Sequence, residues 1–429
     1  MPIMSFTAAA FQLSEAQVAQ LPTEIIGKAT CAFSRHRMGK LGFGQRFRFT
    51  TRGPERFTAA RDRWTELTAE AGPELPASLT AAAPICFAAF TFDARSAVDS
   101  IVTVPKFVLD RSTDGVWLRY TYESTATPPS AETLFTTFLE ELPQEPPAAE
   151  HNGLKTVSAQ LSEAAFERSV AKAVQMLAQQ DFEKIVLARD ELLTGAAPFH
   201  IPATIRALAS DNPTAWTYKV ENLIGSTPEL LIARQANAAK ARVLAGTVDR
   251  NVAVNEDLIA EQLSDHPKQI FEHQAAVDSL VDKLAPFATQ LRTSDQPFVL
   301  SLPNVYHLAT DVSAELTSET SILDLVAEIN PTAAVGGTPR QPAMDAIWQL
   351  EAETHGMDRG LYAGAVGWLD AHGQGEFGIA LRGSLIEDAY HVRVYAGGGI
   401  VDGSDPAAEL AETHAKMRPM KKALRVQAL

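Results

Sequence analysis

Lys184 opens the apolar run KIVLA. An amine carried into a cleft of low dielectric loses proton affinity and can act as a general base near neutral pH. The same placement also describes a solvated lysine at a strand end. Glu409, Glu412 and Lys416 recur at i, i+3 and i+7, which on a helix puts them within about 60° of one another. Two carboxylates converging on one point repel unless a cation lies between them, and an oxygen-only pair suits Mg²⁺. A solvated face with a Glu412–Lys416 ion pair fits the spacing as well. Glu272 lies about 200° around its helix from Ile270, away from the stripe Ile270, Val277, Val281 and Leu284, and so faces either solvent or a cleft. Along GEFGIALRGS, strand alternation gives Phe377, Ile379 and Leu381 one face and Gly378, Ala380 and Arg382 the other. That second face is small and ends in one guanidinium, shaped for an approaching carboxylate or simply exposed.

Three glycine-rich segments, LAGTVDR (244–250), AVGGTPR (334–340) and AGGGIVDGSDP (396–406), would let a ligand reach backbone N–H groups. None has the strand-GxxxxGK[ST]-helix order of a P-loop, and none has a GxGxxG opening a helix, which disfavours a nucleotide. Cys31 and Cys86 are the only cysteines among 429 residues. That excludes a disulfide framework and multi-cysteine metal sites and fits a reducing compartment. With 37 Lys+Arg against 52 Asp+Glu the formal net charge is −15, the wrong sign for nucleic acid. No stretch approaches the ~18 apolar residues of a membrane span, and the N-terminus lacks the basic-then-apolar order of a secretory signal. The expected setting is cytoplasmic.

These residues need elements to carry them. Residues 1 to about 120 mix short apolar runs such as ICFAAFTFD and GVWLRYTY with turns, as antiparallel strands do. Pro-rich text around the short helical candidate TLFTTFLEEL places a boundary near 150. Past it, Phe166, Val170, Val174 and Leu177 define a helix leading into the strand KIVLARDELL. Asp265 can cap a helix beginning at Pro267. LYAGAVGWLD, GEFGIALRGSLI and YHVRVYAGGGI read as consecutive antiparallel strands, and a last helix starts at Asp405-Pro406 and stops at Pro419. The expected class is α+β, with large antiparallel sheets flanked by helices.

Taken in order, KIVLAR, STPELL, LAGT, KQIFEH, YHL, NPTAAVGGTPR, DRGLYAGAVGWLD, FGIALR, AGGGIVDGSDP and ELAETHAKM resemble the chorismate-binding enzyme family, from about residue 155 to 420. That family includes isochorismate, salicylate, anthranilate and aminodeoxychorismate synthases. The resemblance implies the anthranilate synthase component I-like fold, two packed antiparallel sheets with the active site between them, residues 1–150 adding strands to it and 151–425 forming the catalytic region. It also implies that Lys184 activates water and Glu229 protonates the departing hydroxyl, and that Glu272, Glu409 and Glu412 surround Mg²⁺. Gly246, Thr247, His307, Ala334, Tyr362, Arg382, Gly397, Gly399 and Lys416 would meet chorismate.

Within the family, Lys184 stands where amine-adding members lack a lysine. Ala245 stands where aminodeoxychorismate synthases carry the lysine of PIKGT. Ala334 stands where pyruvate-eliminating members typically have threonine, and no glutamine amidotransferase module is fused. The resemblance therefore implies an isochorismate synthase serving menaquinone or siderophore biosynthesis. A salicylate synthase, or a non-catalytic chorismate-binding scaffold, is the alternative. Asp249, Asn251 and Gln269 depart from the family pattern and bear on rate and affinity.

Overall fold

The apolar runs become strands, and among the described residues every strand pairing is antiparallel. The structure is a computed structural model that describes residues 4–70, 72–145, 153–179, 182–249, 267–294, 296–301, 305–317 and 320–425. Among these, one sheet of thirteen strands runs Lys155–Ser158, Lys184–Thr194, His391–Ile400, Gly383–Ile386, Leu223–Thr227, Trp216–Val220, Cys31–Arg35, Met38–Phe43, Phe107–Ser112, Gly115–Glu123, Phe6–Gln12, Thr80–Ala82, with Gly337–Thr338 alongside Lys184–Thr194. A second sheet of ten runs Ala288–Thr293, Val305–Leu316, Ala238–Asp249, Leu230–Gln235, Gly375–Ile379, Ala365–Asp370, Ile85–Ala89, Ser100–Val104, Phe47–Thr51, with Phe298–Ser301 beside Val305–Leu316. Both sheets thus draw strands from either side of residue 150.

The sheets face each other across a shared core. Phe33 and Tyr218 of the larger sheet and Phe87, Ala89 and Val366 of the smaller belong to one buried cluster. Burial of such side chains at roughly 25 cal/mol per Å² is the main term holding the two layers together. Helices cover the outside: Glu163–Leu177 and Pro406–Ala423 over the larger sheet, Pro267–Leu284 and Ile322–Ile329 over the smaller. Asp405 caps the Pro406 helix by accepting from Ala408 N–H at 2.8 Å.

Three expectations need correcting. Pro419 does not stop the last helix, which continues to Ala423. The lost N–H bond is outweighed because Met417, Met420, Ala423 and Leu424 all bury against Leu193, Val392 and Val394. Ile270 does not lie on the buried stripe of its helix; it is exposed, while His273 is buried and its Nε2 shares a 2.7 Å hydrogen bond with Thr310 Oγ1. The stripe is therefore His273, Val277 and Leu284, centred on a residue that can pair with a strand hydroxyl. Asp265, expected as that helix's cap, lies outside the described residues. Finally, GEFGIALRGSLI is two strands in different sheets, Gly375–Ile379 in the smaller and Gly383–Ile386 in the larger, so Arg382 is on no strand face.

Candidate active site

Of the places where the chain passes from one sheet to the other, two are tied together here, and a sequence-predicted residue sits on each. After Leu223–Thr227 the segment Pro228-Glu229 carries the chain into the smaller sheet; after Gly375–Ile379 the segment Ala380 to Arg382 carries it back. The crossings are tied together, since Ile379 N–H donates to Glu229 O (3.1 Å) and Ser226 N–H to Arg382 O (3.4 Å). Arg382 takes a left-handed conformation, φ 50°, which turns its side chain out of any strand alternation. Tyr218 supports this crossing from below: its buried hydroxyl donates to Leu381 O at 2.9 Å. It fits there because Gly225 and Gly383 have no side chain, where a Cβ would lie 2.3 and 2.0 Å from that oxygen.

Lys184 begins its strand and lies close enough to Glu229 to act on its carboxyl. Its aliphatic stem lies over Gly399, where a Cβ would come within 2.8 Å of Lys184 Cε. The next glycine serves the metal candidates: a Cβ on Gly398 would be 2.9 Å from Glu409 Oε2 and 3.8 Å from Glu412 Oε1. Glu409 Oε1 accepts from Ser404 Oγ (2.9 Å), while Oε2 is buried with no hydrogen-bond partner among the described residues. Glu412 pairs with Lys416, whose Nζ also donates to Gly397 O at 2.8 Å. The Glu412–Lys416 ion pair of the solvated-face reading is present, and Glu409 also presents an oxygen without a partner among the described residues. A buried carboxylate oxygen beside a second carboxylate, in an oxygen-only set, fits Mg²⁺.

Electrostatics separate the groups. Burial pushes the Glu229 carboxyl up to about 7, against the pull of Lys184, Arg382 and Lys416. Burial also raises Glu409, with Glu412 adding to it, and lowers Lys416 and Arg382 against the attraction of Glu412. Tyr362 is buried, its ring stacked on Tyr395 at 4.9 Å, and burial lifts its hydroxyl to about 12 so that it stays a donor. Close to neutral pH the site therefore offers, in Glu229, a carboxyl poised to hold or release a proton beside Arg382 and Lys416.

Lys184, Glu229, Tyr362, Arg382, Gly397, Gly399, Glu409, Glu412 and Lys416 come together in this way. Ala334 is half-buried in the turn before Gly337–Thr338, the short strand that pairs with Lys184 and Ile185. Gly246 and Thr247 lie on Ala238–Asp249 at a bulge, with Thr247 opposite His307. The side chains of Thr247, His307, Glu272, Asp249 and Gln269, and all of Asn251, lie outside the described residues. Sequence reasoning missed Tyr218, Glu351 and Arg359. Tyr218 leaves a faint signal in the paired glycines Gly225 and Gly383, Arg359 lies within the quoted segment DRGLYAGAVGWLD without being singled out, and Glu351 leaves none. Elsewhere Glu163, Glu191 and His414 bring ligand atoms within 4.8 Å of one another, but Arg189 (3.0 Å) and Lys421 (2.6 Å) already neutralise Glu191.

A family model described as "Chorismate binding enzyme" matches residues 8–425. The isochorismate synthase MenF of Bacillus subtilis is 33% identical over 262 residues, 60% of this chain and 55% of that protein. The salicylate biosynthesis isochorismate synthase of Pseudomonas aeruginosa is 37% identical over 264 residues, 60% of this chain and 54% of the other. The chain thus matches about half the length of these curated relatives. The crystal structure of a putative 2,3-dihydroxybenzoate-specific isochorismate synthase, DhbC, from Bacillus anthracis superposes with a TM-score of 0.72 at 26% identity, covering 96% of this chain and 99% of that one.

Proposed function

The chain belongs to the chorismate-binding enzyme family, and from that premise we propose that it is an Mg²⁺-dependent isochorismate synthase acting in the cytoplasm. The observation that carries this reading is Glu229, a carboxyl pushed up to about 7 while Lys184, Arg382 and Lys416 bear on it. An acid protonated near neutrality, facing an amine across a cationic cleft, suits a dianionic substrate that must lose hydroxide and gain water.

Glu229 donates its proton to the hydroxyl leaving C4 as water. Lys184 accepts a proton from the water whose oxygen bonds to C2, and both ring double bonds shift, C1=C2 to C1=C6 and C5=C6 to C4=C5, so electron, oxygen and proton counts balance. Arg382 and Lys416 offset the carboxylate charge of the substrate, and the Tyr362 hydroxyl supplies a donor beside Arg382. Glu409 and Glu412, with Glu272, are the groups that would hold Mg²⁺; the ion, when bound, offsets a substrate carboxylate. Water rather than ammonia is the nucleophile, so no glutamine-hydrolysing partner enters. Isochorismate synthases among the relatives carry menaquinone and siderophore names, and this chain's product would enter one of those routes.

The test is incubation with chorismate, with Mg²⁺ or with EDTA, and separation of products by liquid chromatography. Isochorismate formed only with Mg²⁺ and without pyruvate supports the proposal. Salicylate with pyruvate would make the chain a salicylate synthase, and no turnover would make it a binding scaffold.

A further inference from the structure

The strand Lys184–Thr194 has two edges. One is paired from Ile185 to Thr194 with His391–Ile400. On the other, Gly337–Thr338 pairs with Lys184 and Ile185, Gly336 O accepts from Val186 N–H at 2.8 Å, and Lys155–Ser158 covers only Leu192 to Thr194. In the gap, two backbone groups are met by side chains instead. Ala188 N–H donates to Glu351 Oε1 at 2.7 Å, and Arg359 Nη2 donates to Val186 O at 2.6 Å. The two side chains are paired with each other, Arg359 Nε to Glu351 Oε2 at 2.7 Å, and both are buried. Arg359 Nη1 further donates to Val335 O at 3.0 Å, and the guanidinium lies 4.3 Å from the centre of the Phe92 ring. Glu351 reaches inward from a π-helical stretch, Gln349–Glu353, that follows the helix Arg340–Trp348. Arg359 O in turn accepts from Tyr362 N–H at 2.9 Å.

We propose that the Glu351–Arg359 pair is a positioning clamp for the active site: it stands in for the missing strand at Val186 O and Ala188 N–H and holds the Lys184 strand, the turn carrying Ala334 and the turn carrying Tyr362 in one register. The clamp rests on the isochorismate synthase reading and adds to it two positioning residues that touch no substrate. A carboxylate and a guanidinium offer the acceptor and the donor that a neighbouring strand would have offered. Only arginine, with five donors in one plane, can serve Val186 O, Val335 O and Glu351 at once. A slip of any of the three segments would strand a buried charge, which gives the register a penalty that apolar packing lacks. Lys184 is two residues from Val186, so a slip moves its amine relative to Glu229, and misplacement by about 1 Å can cost on the order of 10²-fold in rate.

Arg359→Lys and Glu351→Gln, measured beside the unmodified protein with chorismate and Mg²⁺, test this. Three readings are taken: kcat, KM, and backbone hydrogen exchange resolved by mass spectrometry on peptides spanning Val186 to Ala188. The clamp predicts folded variants with faster exchange confined to those peptides, kcat reduced at least tenfold and KM changed less than threefold. Folded variants with unchanged kcat would overturn it, whatever their exchange. So would loss of the whole fold in both variants, because the pair would then be a general core stabiliser. If the unmodified protein itself makes no isochorismate, the functional reading fails separately, and exchange confined to Val186–Ala188 still distinguishes a local clamp from a core role.

Discussion

Glu229 carries a stability cost that its role requires. Its carboxyl ionises near 4.5 when exposed and at about 7 in the fold, so folding favours the protonated form. Its contribution is fully present below pH 4.5 and is lost as pH rises through about 7, a difference on the order of 3 kcal/mol. Glu229→Gln should therefore melt at a higher temperature than the unmodified protein at pH 8 and at nearly the same temperature at pH 4, measured by calorimetry, while turnover falls roughly 10²-fold or more. For the active protein the kcat/KM profile should descend on the alkaline side with an apparent pKa near 7; a flat profile from pH 6 to 9 would rule Glu229 out as the acid. Lys184→Ala should lose roughly 10²-fold or more in kcat. At this scale the sequence was unevenly legible. Lys184, Glu409 and Glu412 stand out by residue type and spacing, but a solvated lysine and a Glu412–Lys416 ion pair fit the same pattern, and the resemblance is what favours a site. Glu229 does not stand out: a glutamate after a proline between two strands has no periodic signature, and only the resemblance singled it out. Arg382 was chosen for the right charge on the wrong geometry, because alternation across ten residues assumes one strand and the chain changes sheets in the middle.

The glycine triplet 397–399 and the last helix form one unit, in which the strand lies close beneath the helix because it has no side chains there. Gly398→Ala would put a methyl 2.9 Å from Glu409 Oε2. It should leave secondary structure unchanged and raise the Mg²⁺ concentration for half-maximal turnover at least tenfold, read by titrating Mg²⁺ in the product assay. Pro419→Ala tests the opposite kind of rule. The helix already passes through Pro419, so restoring the backbone N–H should stabilise the protein by about 1–3 kcal/mol without altering kcat, measured by chemical denaturation. Element existence was legible almost throughout, since period 2 and period 3.6 patterns are strong in this chain. Two misreadings share a cause. Pro419 and Ile270 were judged from local rules, and tertiary packing decided both: four apolar residues carry the helix through the proline, and the His273–Thr310 bond turns the other helix so that Ile270 faces out.

At the scale of the whole molecule the two sheets are interleaved, not stacked as separate units. Cys31–Arg35 pairs with Trp216–Val220, and Ile85–Ala89 pairs with Ala365–Asp370. A fragment covering 153–425 would expose both of those strand edges and half of the shared core. It should be poorly soluble, bind a hydrophobic dye and lack the near-ultraviolet signal of packed aromatic rings; a folded, active fragment would contradict the interleaving. Partner choice across some two hundred residues could not be read from local pattern, since any of a dozen similar strands offers the same apolar face. The order of synthesis draws a consequence from the pairing of Lys184–Thr194 with His391–Ile400. As the chain leaves the ribosome at ~5–20 residues per second, the strand that bears Lys184 waits for some two hundred further residues before its long edge is closed. Throughout that interval the nascent protein presents an open, mostly apolar strand edge to its surroundings. Folding is then governed by the slow arrival of distant contacts, and yield in the cell should depend on holdase chaperones and on expression temperature more than on the stability of the finished protein.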